Sequence, residues 1–168
     1  MIDSIETKSN GIITSKKTSN TRELYEHQKK AMANLDIINR NSSYSTLVVL
    51  PTGGGKTYTA AVWLLRNAID RKKKILWIAH RQTLLDQAAK TFQNYAFSEI
   101  IPSISSFRYR IISGAPEHDR TIDIDNKDDL LIISKDSIGR NLSALDKWLK
   151  GEDVIYLIVD EAHHSTAK

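Results

Sequence analysis

The sequence predicts an α/β fold in which helices cover both faces of a mainly parallel sheet. Short apolar segments rich in β-branched residues alternate along the chain with longer segments whose apolar residues recur at helical spacing. The strand-like segments are apolar almost throughout, which is typical of parallel strands buried on both faces.

Five strands and four helices are predicted in chain order. Asn20 is suited to cap the first helix, and Asn141 and Gly151 are suited to begin and end the last one. The predicted strands are 46–50, 74–79, 107–114, 130–134 and 154–160. The predicted helices are about 21–40, 56–70, 81–92 and the short segment that follows Asn141.

Apolar residues on most sides of the helix after Lys56 predict that it lies deep against the sheet. Each of the three tryptophans lies within an apolar pattern, so we expect core positions for them and no stacking on bases. They are Trp63, Trp77 and Trp148.

The composition is that of a soluble globular protein, and it excludes several functional classes. The chain has 168 residues, of which 40% are hydrophobic and 26% are charged. It contains no cysteine, which excludes disulfides, thiolate metal sites and cysteine nucleophiles. No apolar run approaches the roughly 20 residues that span a bilayer. The N-terminus lacks the pattern of a secretory signal, so a cytoplasmic location is expected.

Charge and local composition indicate one domain preceded by a polar lead-in. The net charge of +4 permits a polyanionic partner. Residues 1–20 are rich in Ser, Thr, Asn and Lys and lack a sustained period, which favours a flexible N-terminal arm. Residues 21–168 then form the folded domain.

Three consecutive glycines separate the apolar run 46–50 from the apolar helix after it. A strand, a glycine run ending in lysine and threonine, and a helix together are typical of a phosphate-binding loop. Glycines let backbone N–H groups turn toward a phosphate, and the helix adds unpaired amides and the positive end of its dipole. Because Leu50 occupies the first position of the strict pattern, a flexible glycine turn stays open as the alternative. The predicted binding residues are Thr52, Gly53, Gly54, Gly55, Lys56 and Thr57.

Two adjacent carboxylates, Asp160 and Glu161, follow the last predicted strand, at the end where α/β sheets bind ligands. Asp160 is suited to hold a magnesium ion through water, and Glu161 to orient and deprotonate an attacking water. An Asp-Glu pair alone is usually a solvated turn. The pair combined with the glycine loop is a much more specific indication of a nucleotide-binding site. In that loop, Lys56 would bind the β- and γ-phosphates and Thr57 would bind magnesium.

From about residue 22 to residue 168 the chain resembles the first motor domain of superfamily 2 helicases and translocases, a P-loop NTPase domain of the RecA-like fold. PTGGGKT is similar to motif I, and DEAHH is similar to the motif II of restriction-enzyme motor subunits. AHRQTLLDQA is similar to motif Ia, so the resemblance implies nucleic-acid contact by Arg81. LYEHQKKA resembles the segment whose glutamine reads adenine, so Gln28 inherits that role, although Tyr25 and His27 depart from the usual residues.

The resemblance also implies the cofactors, partners and roles of an ATP-driven motor. ATP and Mg²⁺ are the expected cofactors, and nucleic acid is the expected partner, with DNA favoured over RNA. Lys56, Asp160 and Glu161 are the implied catalytic residues, and Thr57 and Asp160 are the implied magnesium ligands. A second RecA-like domain would supply an arginine finger across a cleft.

Two functional classes stay open. The first is the ATP-binding part of a helicase or translocase that hydrolyses ATP to move on nucleic acid. The second is a nucleotide-responsive nucleic-acid-binding module that has no turnover of its own. A small-molecule kinase is disfavoured because motifs Ia and II match the helicase pattern together.

The sequence ends soon after motif II, so we expect an incomplete motor with negligible turnover and weak ATP binding at most. In the family, the strand of motif III follows motif II and lies between the strands of motifs I and II. Without that neighbour, segment 46–50 would leave unpaired backbone groups. We therefore expect five strands, with 46–50 either apart from the other four or paired directly with 154–160.

Overall fold

A five-stranded sheet forms the centre of the computed structural model, which describes residues 7–51 and 53–160. The strands are β1 (Asn10–Thr14), β2 (Lys74–Ala79), β3 (Ser106–Ile112), β4 (Leu130–Ser134) and β5 (Ile155–Val159). They lie in the order β1-β3-β4-β2-β5, and every pairing is parallel except that of β1 with β3. The predicted mainly parallel α/β fold is confirmed.

Helices lie on both faces of this sheet. They are α1 (Glu26–Ile38), α2 (Lys56–Asn67), α3 (Gln82–Tyr95), α4 (Lys135–Ile138) and α5 (Leu142–Leu149), with 3₁₀ turns at Ile69–Arg71 and Thr121–Asp123. Helices α1, α2 and α3 share one apolar core with one face of the sheet, and α5 packs on the opposite face. No helix in the described part of the chain is long and apolar enough to cross a membrane.

Helix α2 lies deep in the larger core, as its apolar sequence predicts, and it contacts both α1 and α3. Ala61 and Leu65 of this helix are fully buried. Trp63, Trp77 and Trp148 are each at most 3% exposed, which confirms that they are core residues. Their indole faces are therefore not available for stacking on bases.

Residues 10–14 form a strand, which corrects the expectation of a flexible arm over residues 1–20. Strand β1 pairs with β3, and Ile13 enters the core while Ile12 on the outer side is 65% exposed. The composition of residues 1–20 does not indicate a strand because most of them are polar, although Ile12, Ile13 and Thr14 within the strand are β-branched. The open edge of β3 stabilises it instead, by supplying hydrogen-bond partners for its backbone. Residues 1–6 lie outside the described part of the chain.

Segment 46–50 is not a strand, so the prediction is wrong at this point. It pairs with no strand of the described chain, and Leu47 and Val49 are 74% and 76% exposed. Apolar residues in an extended segment form a strand only where a neighbour takes up their backbone hydrogen bonds. Of the two expected alternatives, the structure agrees with the one in which 46–50 lies apart from the other four predicted strands, but the segment forms no strand. The sheet still has the expected five strands, because β1, which was not predicted, is the fifth.

β5 is the edge strand of the sheet on the side opposite β1. Its outer edge has no strand partner within residues 7–51 and 53–160, and Leu157 and Val159 are 59% and 49% exposed. Tyr156 points to the other face, where its ring meets Trp63 edge to face and its hydroxyl donates to Asn39 Oδ1 at 2.8 Å. One face of β5 is thus packed, and the other face is open.

The two predicted asparagine caps have different outcomes. Asn141 caps α5, since its Oδ1 accepts the N–H of Ala144 at 3.2 Å, and Gly151 follows the helix with a φ of +86°. Asn20 does not cap α1, which begins at Glu26. The Asn20 side chain instead forms a hydrogen bond two residues along the chain, in which its Oδ1 accepts the N–H of Arg22 at 3.0 Å.

A buried group of charges joins β1 to the rest of the sheet. Arg110 on β3 donates from Nε to Asp128 at 2.8 Å and from a second nitrogen to Asp119. Ser9 and Asn10 donate their side-chain hydrogen bonds to the same Asp119 carboxylate, at 2.7 and 2.8 Å. Burial raises the pKa of Asp119, but these hydrogen bonds and the Arg110 charge outweigh burial and hold this pKa below its ordinary value.

We expect Arg110→Leu to lower the free energy of unfolding by about 3–5 kcal/mol, because the Asp128 carboxylate would stay buried without its main partner. Urea denaturation measures this change. Arg108→Leu is the matched control, since Arg108 faces the same carboxylate from 3.6 Å but has a side chain 37% exposed. It should cost about 1 kcal/mol or less. Equal losses in the two variants would contradict the assignment of Arg110 as the main partner.

Candidate functional site

The glycine loop leads directly into the first turn of α2. Gly53 and Gly55 have φ values of +73° and +71°, a left-handed conformation that residues with a Cβ rarely adopt. Gly55 is the N-cap residue of α2, and no side chain of the described residues caps the helix there. Uncapped amides and the positive end of the helix dipole form a site that suits an anion. Thr52 lies outside the described residues.

Gly54 is held from two sides. Its N–H donates to the Pro51 carbonyl at 2.7 Å, and a Cβ at position 54 would lie only 2.7 Å from that same oxygen. The Gly54 carbonyl accepts a hydrogen bond from Gln28 Nε2 at 3.0 Å, and His27 Nε2 lies 3.1 Å from it. Two side chains of α1 therefore meet the backbone of the loop at one oxygen atom.

Lys56 and Thr57 occupy the first turn of α2. The Lys56 side chain is exposed and Thr57 is half-buried. Thr59 closes this turn, since its N–H and its hydroxyl both donate to the Gly55 carbonyl, at 2.9 and 2.8 Å. Lys56 and Thr57 therefore follow a loop whose backbone is held on both sides.

Arg22 also lies beside the loop, although no sequence motif marks it. Its guanidinium carbon is 3.8 Å from the centroid of the Tyr58 ring, and its Nη1 donates to the Tyr95 hydroxyl at 3.0 Å. Its other terminal nitrogen is 3.5 Å from the point where a Cβ of Gly55 would lie. Arg22 precedes α1 in an irregular segment, so no periodic pattern could have linked it to the loop.

Arg81 and Asp160 lie at the carboxyl edge of the sheet. Strands β2 and β5 are parallel neighbours, with Ile78 opposite Val159, and the Asp160 N–H donates to the Ile78 carbonyl at 2.8 Å. Arg81, two residues beyond β2, is exposed and is the N-cap residue of α3. The structure thus places both residues after neighbouring strands. Glu161 and the two histidines of DEAHH lie outside the described residues.

The fold and the glycine loop together define a RecA-like domain of the helicase-like motor class. Residues 21–168 match the model of a family described as type III restriction enzyme, res subunit, and the chain belongs to this family. The family comprises helicase-like motor domains of superfamily 2, which use ATP. No curated protein matches the chain.

We expect Gly55→Ala to destabilise the protein more than Gly53→Ala. Both substitutions carry the cost of a left-handed backbone, about 1–2 kcal/mol, but a Cβ at Gly55 would also lie 2.5 Å from Gln28 Nε2. Gly53 has no neighbouring atom within 4 Å of its Cβ position. Gly114→Ala is the control, since it has open space and no positive φ. Chemical denaturation should rank the losses in that order, and a loss in Gly53→Ala as large as in Gly55→Ala would contradict it.

Proposed function

We propose that the chain is the ATP-binding part of an ATP-dependent nucleic-acid helicase or translocase, which hydrolyses ATP with Mg²⁺ when joined to a second motor domain. The observation that carries this proposal is the glycine loop at the uncapped N-terminus of α2, in a chain of the res subunit family. Clustered backbone amides followed at once by an exposed lysine suit a triphosphate better than any other common ligand.

In this proposal the nucleotide phosphates lie against Gly53, Gly54 and Gly55. Lys56 binds the β- and γ-phosphates, since its exposed ammonium begins the helix that the loop enters. Thr52, which precedes Gly53 in the sequence, is assigned to the same binding segment. The positive φ values of Gly53 and Gly55 support this role, because they show a tightly turned backbone, and the glycines have no Cβ that would lie between the backbone amides and a ligand.

The magnesium ion would be held by the Thr57 hydroxyl and, through water, by Asp160. Its chemistry there is to neutralise the negative charge of the phosphates. Glu161 would orient the attacking water and accept its proton. Oxygen donors are the ligands that Mg²⁺ prefers, which supports this choice of residues.

We propose that the motor moves along a nucleic acid, with DNA favoured over RNA. The position of Arg81, exposed at the start of α3 and at the carboxyl edge of the sheet, supports a contact with phosphates. The second candidate is a nucleotide-responsive binding module without turnover. ATPase activity of the chain joined to its second motor domain, measured with and without DNA, distinguishes them: stimulation supports a motor, and ATP binding without turnover supports the module.

We expect Lys56→Ala to abolish nucleotide binding, because it removes the only side-chain cation of the loop segment 52–57. Glu161→Gln should leave binding intact and stop hydrolysis in the intact motor, because an amide does not accept the proton of the attacking water. Equilibrium binding of a fluorescent ATP analogue and steady-state ATPase measurements check the two effects. Unchanged nucleotide affinity in Lys56→Ala would refute the site.

We expect Arg81→Ala to weaken nucleic-acid binding with little change in base preference, since phosphate contacts carry no sequence information. The slope of log affinity against log salt should fall by about 1. Arg71→Ala is the control, because Arg71 is also exposed but precedes β2, at the opposite edge of the sheet. Fluorescence anisotropy over a salt series measures both variants. The same loss in Arg71→Ala would argue against a specific contact at Arg81.

A further inference from the structure

The turn after β3, residues 113–120, is closed by hydrogen bonds within its own backbone and by one arginine. The Asp119 N–H donates to the Ile111 carbonyl at 3.0 Å, and the Ser113 N–H donates to the Asp119 carbonyl at 3.3 Å. Arg120 donates from Nη1 to the Ser113 carbonyl. These bonds hold the two ends of the turn together at the carboxyl end of β3, so it is a compact surface loop.

His118 lies within this turn, faces α3 and is only 5% exposed. Its Nε2 is 2.8 Å from Oδ1 of Asp86 on α3, and its Nδ1 is 2.6 Å from the Ser113 hydroxyl. The tautomer with a hydrogen on Nε2 donates to Asp86 and accepts from Ser113. The Ser113 oxygen in turn accepts the N–H of Ala115 at 3.0 Å. A continuous series of hydrogen bonds therefore joins the turn after β3 to α3.

Asp86 lies in the amino-terminal half of α3, close to the proposed nucleic-acid contact. Arg81 is the N-cap residue of this helix, and Asp86 follows it by about 7.5 Å along the helix axis. A second side-chain bond holds the other end of α3, since Gln93 Nε2 donates to the Tyr109 hydroxyl at 3.1 Å. Within the described chain, the Asp86–His118 bond is the side-chain hydrogen bond from α3 to another element that lies closest to Arg81.

We propose that His118 is a positioning residue for the nucleic-acid contact at Arg81. By binding Asp86, His118 fixes the first turns of α3, and these turns carry Arg81 at the carboxyl edge of the sheet. His118 does not touch the nucleic acid itself, since it acts through Asp86 and the helix. This inference rests on the proposed function, because it needs a nucleic acid at Arg81.

Two substitutions of Asp86 separate this role from the effect of its charge. A carboxylate so near to a bound phosphate repels it, so removal of the charge alone would strengthen binding. Asp86→Asn removes the charge and keeps an oxygen that accepts from His118 Nε2, whereas Asp86→Ala removes both. The two variants therefore have the same charge and differ only in the bond to His118.

The test is a double-mutant cycle between positions 81 and 86 of the full chain. Asp86→Asn and Asp86→Ala are each made with Arg81 present and with Arg81→Ala, and fluorescence anisotropy of a labelled DNA duplex measures their affinities. Gln93→Ala is the control, since it breaks the other side-chain bond of α3 but lies in the last turn of the helix. Circular dichroism shows whether each variant is folded.

We expect Asp86→Ala to bind DNA about fivefold more weakly than Asp86→Asn, because one hydrogen bond that orients the helix is lost. Its affinity should also depend less steeply on salt, as in Arg81→Ala. With Arg81→Ala present, the two variants should bind equally, because the effect passes through Arg81. Gln93→Ala should bind as the wild type does.

A second pair of variants tests the same bond from its other end. His118→Gln keeps an N–H donor for Asp86, and His118→Leu has none. If Asp86→Ala does not fold, this pair takes its place in the cycle. We expect His118→Leu to bind about fivefold more weakly than His118→Gln, again only where Arg81 is present.

Equal affinities of Asp86→Ala and Asp86→Asn would overturn the inference. A difference between them that is the same with and without Arg81 would overturn it too, because a merely structural role predicts that result. So would a loss in Gln93→Ala as large as in Asp86→Ala. These three outcomes leave the proposed function in place, whereas a wild-type chain that does not bind DNA would refute the nucleic-acid part of that function and the inference together.

Discussion

The burial of α2 is the constraint on which the rest of the structure depends. This helix fills the larger core between the sheet and its two neighbouring helices, with Ala61 and Leu65 fully enclosed. Burying such apolar side chains contributes roughly 1.5–3 kcal/mol each for the larger ones, so α2 is not free to rotate or slide. The position of its first turn is therefore fixed, and the glycine loop must connect to the helix at that position. The contacts of Gln28 and His27 with Gly54 then fix the other side of the loop.

The α/β class, four of the strands and the four longer helices could be predicted because each depends on the period of its own apolar residues. Strand β1 could not, because its stability comes from a partner strand and from the side chains that meet at Asp119. The prediction for segment 46–50 is wrong in the opposite direction, since a strand was expected there and none forms. Its residues favour a strand, but no strand of the described chain lies beside it to accept its hydrogen bonds. Both errors arise where pairing, and not local sequence, decides the structure.

The candidate site was predictable to the extent that it is continuous in sequence. The run from Gly53 to Thr57 is a local motif, and its left-handed glycines agree with that motif. The burial of Gln28 could not be predicted, because a sequence does not show that both ends of an amide are used inside the chain. Arg22 was missed for a similar reason. Its relation to the loop depends on Tyr58 and Tyr95, which two different helices bring to it.

The attachment of β1 also bears on the order in which the chain folds. Asn10 pairs with Arg110, so this edge of the sheet needs closure of a loop of about a hundred residues, the longest among the strand pairs. The pairs of β2 with β4 and of β3 with β4 join residues much closer along the chain. The central parallel strands therefore have the entropic advantage, and β1 adds to a sheet that already exists. During synthesis β1 precedes the other four strands, yet it is then among the last to find its place, and until it does, β3 has an unpaired edge.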